Sequence, residues 1–155
     1  YYLKMLNVPA AWKKVTKSNE VVVAVIDDGI NINHPDLTNN IWVSPDAQYG
    51  ANKIKNFAGD EIPDNFPTGE HGTMISGIIA AEIDNKKGIA GIAKNVKIMP
   101  LRVFDFKGNA REDNIIKAIR YAVDNKANII NLSLGQSQFT YSRRYDELMK
   151  YAYEK

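Results

Sequence analysis

Val21-Val22-Val23-Ala24-Val25-Ile26-Asp27-Asp28-Gly29 is the stretch that sets the fold class. Six β-formers run without a polar break and stop at two acids and a glycine, the pattern of a strand buried on both faces and ending in a turn. Such strands belong to parallel sheets, which collect functional side chains at the carboxyl ends of their strands. Working outward, Val96 to Val103 reads as a second strand despite the interior Pro100, and Ala127 to Leu132 as a third. Between them Asp113 caps a helix in which Ile115, Ile116, Ile119, Ala122 and Val123 recur at helical spacing. Strand, helix and strand form a right-handed parallel crossover, so the class is α/β.

From His71 onward, Met74, Ile75, Ile78 and Ile79 are separated only by small residues, which predicts a helix apolar on nearly all sides and therefore buried. Thr38 to Thr68 is rich in Asn, Asp, Pro and Gly and reads as a long irregular excursion with short edge strands. Tyr145, Leu148, Met149, Ala152 and Tyr153 mark one face of a last helix running to the chain end without a stop signal.

At 155 residues the chain is one domain or part of one. Twenty Lys and Arg against eighteen Asp and Glu leave +2, too small a surplus to argue for nucleic acid or an anionic membrane surface. No stretch approaches the roughly 20 apolar residues of a membrane span. The first residue is not Met, so the sequence is expected to be processed or cut from something longer. With no cysteine, covalent catalysis has only oxygen or nitrogen nucleophiles to draw on.

Three segments can carry chemistry. Adjacent acids in a strand point to opposite sides, so only one of Asp27 and Asp28 can face a given pocket; that carboxylate can coordinate a cation, orient a histidine, attack a phosphoryl group or simply belong to a solvated turn. His71 opens the apolar helix, where the positive helix end would keep its imidazole neutral and suited to a general base, or it is a packed or capping residue. His34, in His34-Pro35-Asp36-Leu37, belongs to a turn in which Asp36 bonds backbone amides or a cation. Asn131-Leu132-Ser133-Leu134-Gly135 is a strand exit without the sharp elbow a nucleophilic serine needs. The aspartyl phosphoryl-transfer reading weakens because Gly29 stands where a second acid is wanted and no phosphate loop occurs.

Taken in order, Val23 to Gly29 with His34 to Leu37, then His71-Gly72-Thr73-Met74-Ile75-Ser76-Gly77, then Asn131 to Gly135 resemble the subtilisin-like serine proteases. The likeness runs from Val8-Pro9-Ala10-Ala11-Trp12 to the last helix and includes Gly88-Ile89-Ala90-Gly91-Ile92-Ala93. It implies a three-layer fold, a mostly parallel central sheet flanked by helices and incomplete at the carboxyl end, with residues 1–155 the amino-terminal portion of one catalytic domain. Asp27 is then the triad aspartate that orients and stabilises the imidazole, and His71 the general base. The substrate backbone is expected as an added strand between Gly108-Asn109-Ala110 and Ser133-Leu134-Gly135. Met99 to Phe106 and Leu134 would line subsites, Phe104 and Phe106 favouring apolar side chains. The chemistry requires no cofactor. The family also suggests a structural calcium site, here from the Asp36 carboxylate, the Asn85 amide oxygen and the carbonyls of Lys87 and Ile89.

The same resemblance identifies what the sequence does not contain. The family's Gly-Thr-Ser-Met-Ala type nucleophile motif does not occur, the oxyanion asparagine would follow Lys155, and Ser76, Ser133, Ser137 and Ser142 do not match the motif. Removing one triad member costs on the order of 10⁴ to 10⁶ in rate in well-studied serine proteases, subtilisin among them. The expectation is a secreted serine endopeptidase of extended polypeptides in the intact domain, with this chain inactive alone. Its partners would be a polypeptide substrate and its own carboxyl-terminal fragment or a swapped copy, with no nucleic acid and no membrane. The alternative is a catalytically degenerate peptide-binding module.

Overall fold

The computed structural model describes residues 1–15, 21–44, 54–60, 69–135 and 142–155. In chain order the elements are α1 (Tyr2–Met5), α2 (Val8–Trp12), β1 (Val22–Asp27), a 3-10 turn (Thr38–Asn40), β2 (Lys55–Asn56), α3 (Glu70–Ala80), β3 (Lys97–Arg102), α4 (Glu112–Asp124), β4 (Ile129–Asn131) and α5 (Arg143–Tyr153). The four strands form one parallel sheet in the order β2-β3-β1-β4. The run of β-formers is thus a central strand, as its unbroken apolar pattern requires.

Alternation along β1 and β3 sorts the core into two layers. Ala24, Ile26, Met99 and Leu101 face Ile115, Ala118, Ile119 and Ala122 of α4 and Leu148 of α5. Val23, Val25 and Ile98 face the other way, with Ile30, Leu37, Ile41 and Ala80 of α3. Helix, sheet and helix make the expected three layers. Pro100 fits inside β3 because of parity. The Lys97 and Val103 amides donate to Val21 and Asp27 on the β1 side, whereas the Ile98 and Arg102 carbonyls accept from Trp42 and Phe57 on the other. Residue 100 shares the parity of 98 and 102, so its missing N–H lies away from β1, in the interval between Trp42 and β2.

Three expectations need correction. Helix α3 buries only the face carrying Gly72, Ser76, Gly77 and Ala80, while Met74 is 61% and Ile78 46% exposed. Helix α4 is not capped by Asp113: Arg111 holds the cap position without a side-chain bond, and Asp113 pairs with Arg144 of α5 at 2.7 Å. Strand β4 is three residues long, shorter than expected; just before it Asn128 is tied to Val22 twice, its N–H donating to the Val22 carbonyl at 2.9 Å and its Oδ1 accepting the Val22 N–H at 2.8 Å. In the excursion from Thr38, β2 is the short edge strand expected, and residues 45–53 and 61–68 lie outside the described residues.

Candidate active site

Asp27 is the last residue of β1, and its side chain is 2% exposed. His71 is the second residue of α3, which packs on β1 so that the imidazole lands on that carboxylate. Nδ1 lies 2.8 Å from Oδ1 and 3.0 Å from Oδ2. With Nδ1 committed to Asp27, Nε2 is the nitrogen left to exchange a proton, and the side chain is 49% exposed. The strand rule for adjacent acids does not apply here, because the strand ends at Asp27. Asp28 also turns to α3, Oδ1 accepting the Gly72 N–H at 2.8 Å and Oδ2 the His71 N–H at 3.2 Å.

Glycines permit this approach. A Cβ on Gly72 would sit 2.0 Å from the Gly29 carbonyl oxygen, and one on Gly69, at φ +79°, would sit 2.1 Å from the Gly29 carbonyl carbon. The Thr73 hydroxyl then accepts the Asn31 N–H at 2.8 Å, a further tie between the strand exit and the helix start. The sequence motifs include Gly29 and Gly72 but not Gly69, and no local pattern shows that the three meet.

The hydrogen bond and charge of Asp27 raise the His71 pKa above its ordinary 6.5, against the lowering effect of burial, so the imidazole is not held neutral as the helix end alone would suggest. Burial raises Asp27 above 3.8, opposed by its bonds to the His71 ring and to the Asp28 N–H.

A cleft of about 560 Å³ opens beside the pair. Gly108 and Ser133 line it together with Phe104 and Phe106, while Asn109, Ala110, Leu134 and Gly135 are not among its lining residues. Residues 104–110 form a tight turn: Phe104 and Ala110 bridge antiparallel, Asp105 Oδ1 accepts the Lys107 and Asn109 N–H groups, and Gly108 is left-handed at φ +76°. Leu134 packs, partly buried, against the α4-side core, and the Ser133 hydroxyl accepts from Asn131 Nδ2 at 2.9 Å.

Arg102 was not singled out from sequence. It stands opposite Asp27 in the β1–β3 register and is 2% exposed. Its guanidinium meets both Asp60 oxygens, at 2.5 and 3.1 Å, and lies 4.7 Å from the Phe106 ring centre. Asp60 Oδ2 also accepts the Phe106 N–H at 3.1 Å, so the ion pair braces the cleft wall, and Arg102 holds Asp60 below its ordinary pKa of 3.8. The available signal was a charge inside a strand directly across from a second charge.

The suggested calcium ligands do converge, but they bond one another. Asp36, which is buried, accepts Asn85 Nδ2 at 2.6 Å and the Ile89 N–H at 2.9 Å, and Asn85 Oδ1 accepts the Lys87 N–H at 2.9 Å. The side-chain oxygens of Asp36 and Asn85 thus accept N–H groups of the same loop. Among the described residues no group of three His, Cys, Asp or Glu side chains is placed to hold a metal ion. His34 sits in this turn, its Nδ1 accepting the Asp36 N–H at 3.2 Å.

Of the candidate serines, Ser76 is sealed within α3, Ser142 holds the cap position of α5 without a side-chain bond, and Ser137 lies outside the described residues. The family model described as the subtilase family, peptidase S8, matches residues 18–155. The chain belongs to the subtilase family. Subtilases similar to it include halolysin of Haloferax mediterranei, 36% identical over 138 residues, with 87% of this chain and 25% of that protein covered. The major intracellular serine protease of Bacillus subtilis is 36% identical over 134 residues, with 86% and 40% covered. Among solved structures, fervidolysin of Fervidobacterium pennivorans, described as a keratinolytic enzyme related to subtilisin, superposes with a TM-score of 0.72 at 30% identity, covering 94% of this chain and 21% of that one. The chain therefore spans about a quarter to two-fifths of the length of curated relatives it matches. Intracellular proteases stand among these subtilases, so membership does not fix a compartment. Among the described residues no helix is long and apolar enough to cross a membrane.

Proposed function

We propose that this chain is the amino-terminal part of a secreted subtilisin-type endopeptidase domain and supplies two of three triad members. The observation that carries the reading is the His71 Nδ1 contact with a buried Asp27 carboxylate beside an open cleft. In the assembled site, His71 Nε2 takes the proton of a serine hydroxyl as its oxygen attacks the scissile carbonyl. Asp27 stabilises the imidazolium that forms, and His71 returns the proton to the leaving amine. Water then hydrolyses the acyl-enzyme by the same proton route. The serine and the oxyanion donor come from polypeptide outside this chain, and an extended peptide is the substrate class. No cofactor takes part in these steps.

Alone, the chain should neither hydrolyse a fluorogenic peptide nor be labelled by a serine-directed fluorophosphonate. Supplying the carboxyl-terminal part of a related subtilase should generate a labelled serine on the added piece and peptide turnover, both abolished by Asp27→Asn or His71→Ala. Labelling of this chain itself would overturn the claim that its serines are not nucleophiles. Turnover surviving both substitutions would overturn the triad assignment. The retained cleft also favours a second reading, a binding module, for which peptide affinity with no turnover after complementation is the expected result.

A further inference from the structure

Helix α3 lacks a cap of its own. Gly69 at the cap position has no side chain to offer, and no side-chain bond closes the helix start from within. The amides of His71 and Gly72, in the first turn, need acceptors from elsewhere. Asp28 supplies both, from more than forty positions earlier in the chain, at 3.2 Å to His71 and 2.8 Å to Gly72. Its own N–H donates to Asp27 Oδ1 at 2.8 Å, which helps fix the carboxylate that receives the ring. Consecutive residues thus hold one histidine twice, Asp27 by its ring and Asp28 by the backbone that bears it.

We propose that Asp28 is a positioning residue for the general base, clamping the amino end of α3 so that the His71 ring keeps its place on Asp27. The inference rests on the reading of His71 as that base. A carboxylate facing a helix start is favoured by the helix dipole, and a Cβ on Gly72 would lie 3.1 Å from Asp28 Oδ1, so the fit is close on both sides. The charged groups around the ring are Asp27 and Asp28 at the end of β1, Glu70 on its own helix, and Arg102 and Asp105 on the facing wall. Arg102 is already paired with Asp60, so Asp27 and Asp28 are the neighbours that act on His71.

The test is proton NMR of the full chain, following the downfield Nδ1–H resonance of His71 and the titration of its ring. In Asp28→Ala the resonance should broaden or vanish, the His71 midpoint should fall, and amide exchange at His71 and Gly72 should quicken about tenfold. Asp28→Asn keeps an acceptor without the charge and should recover most of the resonance. Asp28→Glu keeps the charge but displaces the acceptor and should not recover it. A wild-type resonance in Asp28→Ala overturns the proposal, as does a pattern in which Asp28→Glu rescues and Asp28→Asn does not, because charge alone would then explain the effect. If Asp28→Ala does not fold, a wild-type resonance in Asp28→Glu still overturns the clamp. Asp27→Asn separates the two readings: if it leaves the His71 midpoint unmoved, the Asp27–His71 pair itself is wrong, whatever Asp28 does.

Discussion

His71 binds its proton more tightly in the fold than in a free chain, since Asp27 accepts from its Nδ1, and this fixes the sign of a pH effect. The folded pKa lies above the unfolded 6.5, so the stabilisation is full below pH 6.5 and is lost as pH rises through the folded value. Asp27, raised by burial, acts in the same direction from 3.8 upward, the folded state holding its proton longer than the unfolded one. Thermal melts should therefore show Tm falling as pH is raised above 6.5, and His71→Ala should flatten that limb; a Tm that climbs over the same range would refute the pairing. Gly72→Ala makes a second residue-scale test. Its methyl would meet the Gly29 carbonyl at 2.0 Å, a backbone atom that cannot swing aside, so a loss of about 1–3 kcal/mol in urea unfolding is expected. Neither effect was readable from the motifs, because each depends on which atoms of two distant segments touch.

At the scale of elements, the sheet and its covering helices follow from alternation and helical spacing, but their joints do not. Leu148 is fully buried between α5 and α4, and Leu148→Ala should cost about 2–5 kcal/mol in the same assay. Arg144 and Asp113, both on the surface of that joint, should leave the unfolding midpoint unchanged when replaced by alanine. Arg102 behaves differently: Arg102→Ala removes a buried partner of Asp60 and loosens the Phe106 wall, with an expected loss of about 2–3 kcal/mol. In the loop after α3, both Asp36 oxygens accept N–H groups, so added calcium should not raise Tm. A rise that disappears in Asp36→Asn would show that a cation can displace those bonds. The His-Pro-Asp-Leu turn was legible as an amide-binding turn or a cation site, and only the folded chain shows which N–H groups Asp36 meets.

At the scale of the whole molecule, apolar surface remains open on the α3 side. Val23 and Ile129 are register partners, so Ile129 shares the sheet face that α3 covers, yet it is 54% exposed, as Met74 and Ile78 of α3 are exposed too. Among the described residues β4 pairs with β1 alone, leaving its far edge to another strand. The chain should associate as its concentration rises, seen by light scattering, and Ile129→Lys should reduce that association without disturbing the Asp27–His71 pair; concentration-independent behaviour would count against the open face. The sequence by itself determined the α/β class, the central strand, the order of the Asp, His and Asn-Leu-Ser-Leu-Gly segments and hence the family, because apolar period and motif order are properties of the chain alone. Only the tertiary structure decided that both acids after β1 turn to α3, that Gly29, Gly69 and Gly72 meet, that Arg102 braces the cleft and that Asp36 spends its oxygens on amides. Those outcomes depend on ångström-scale approach between segments tens of residues apart, which no local pattern encodes.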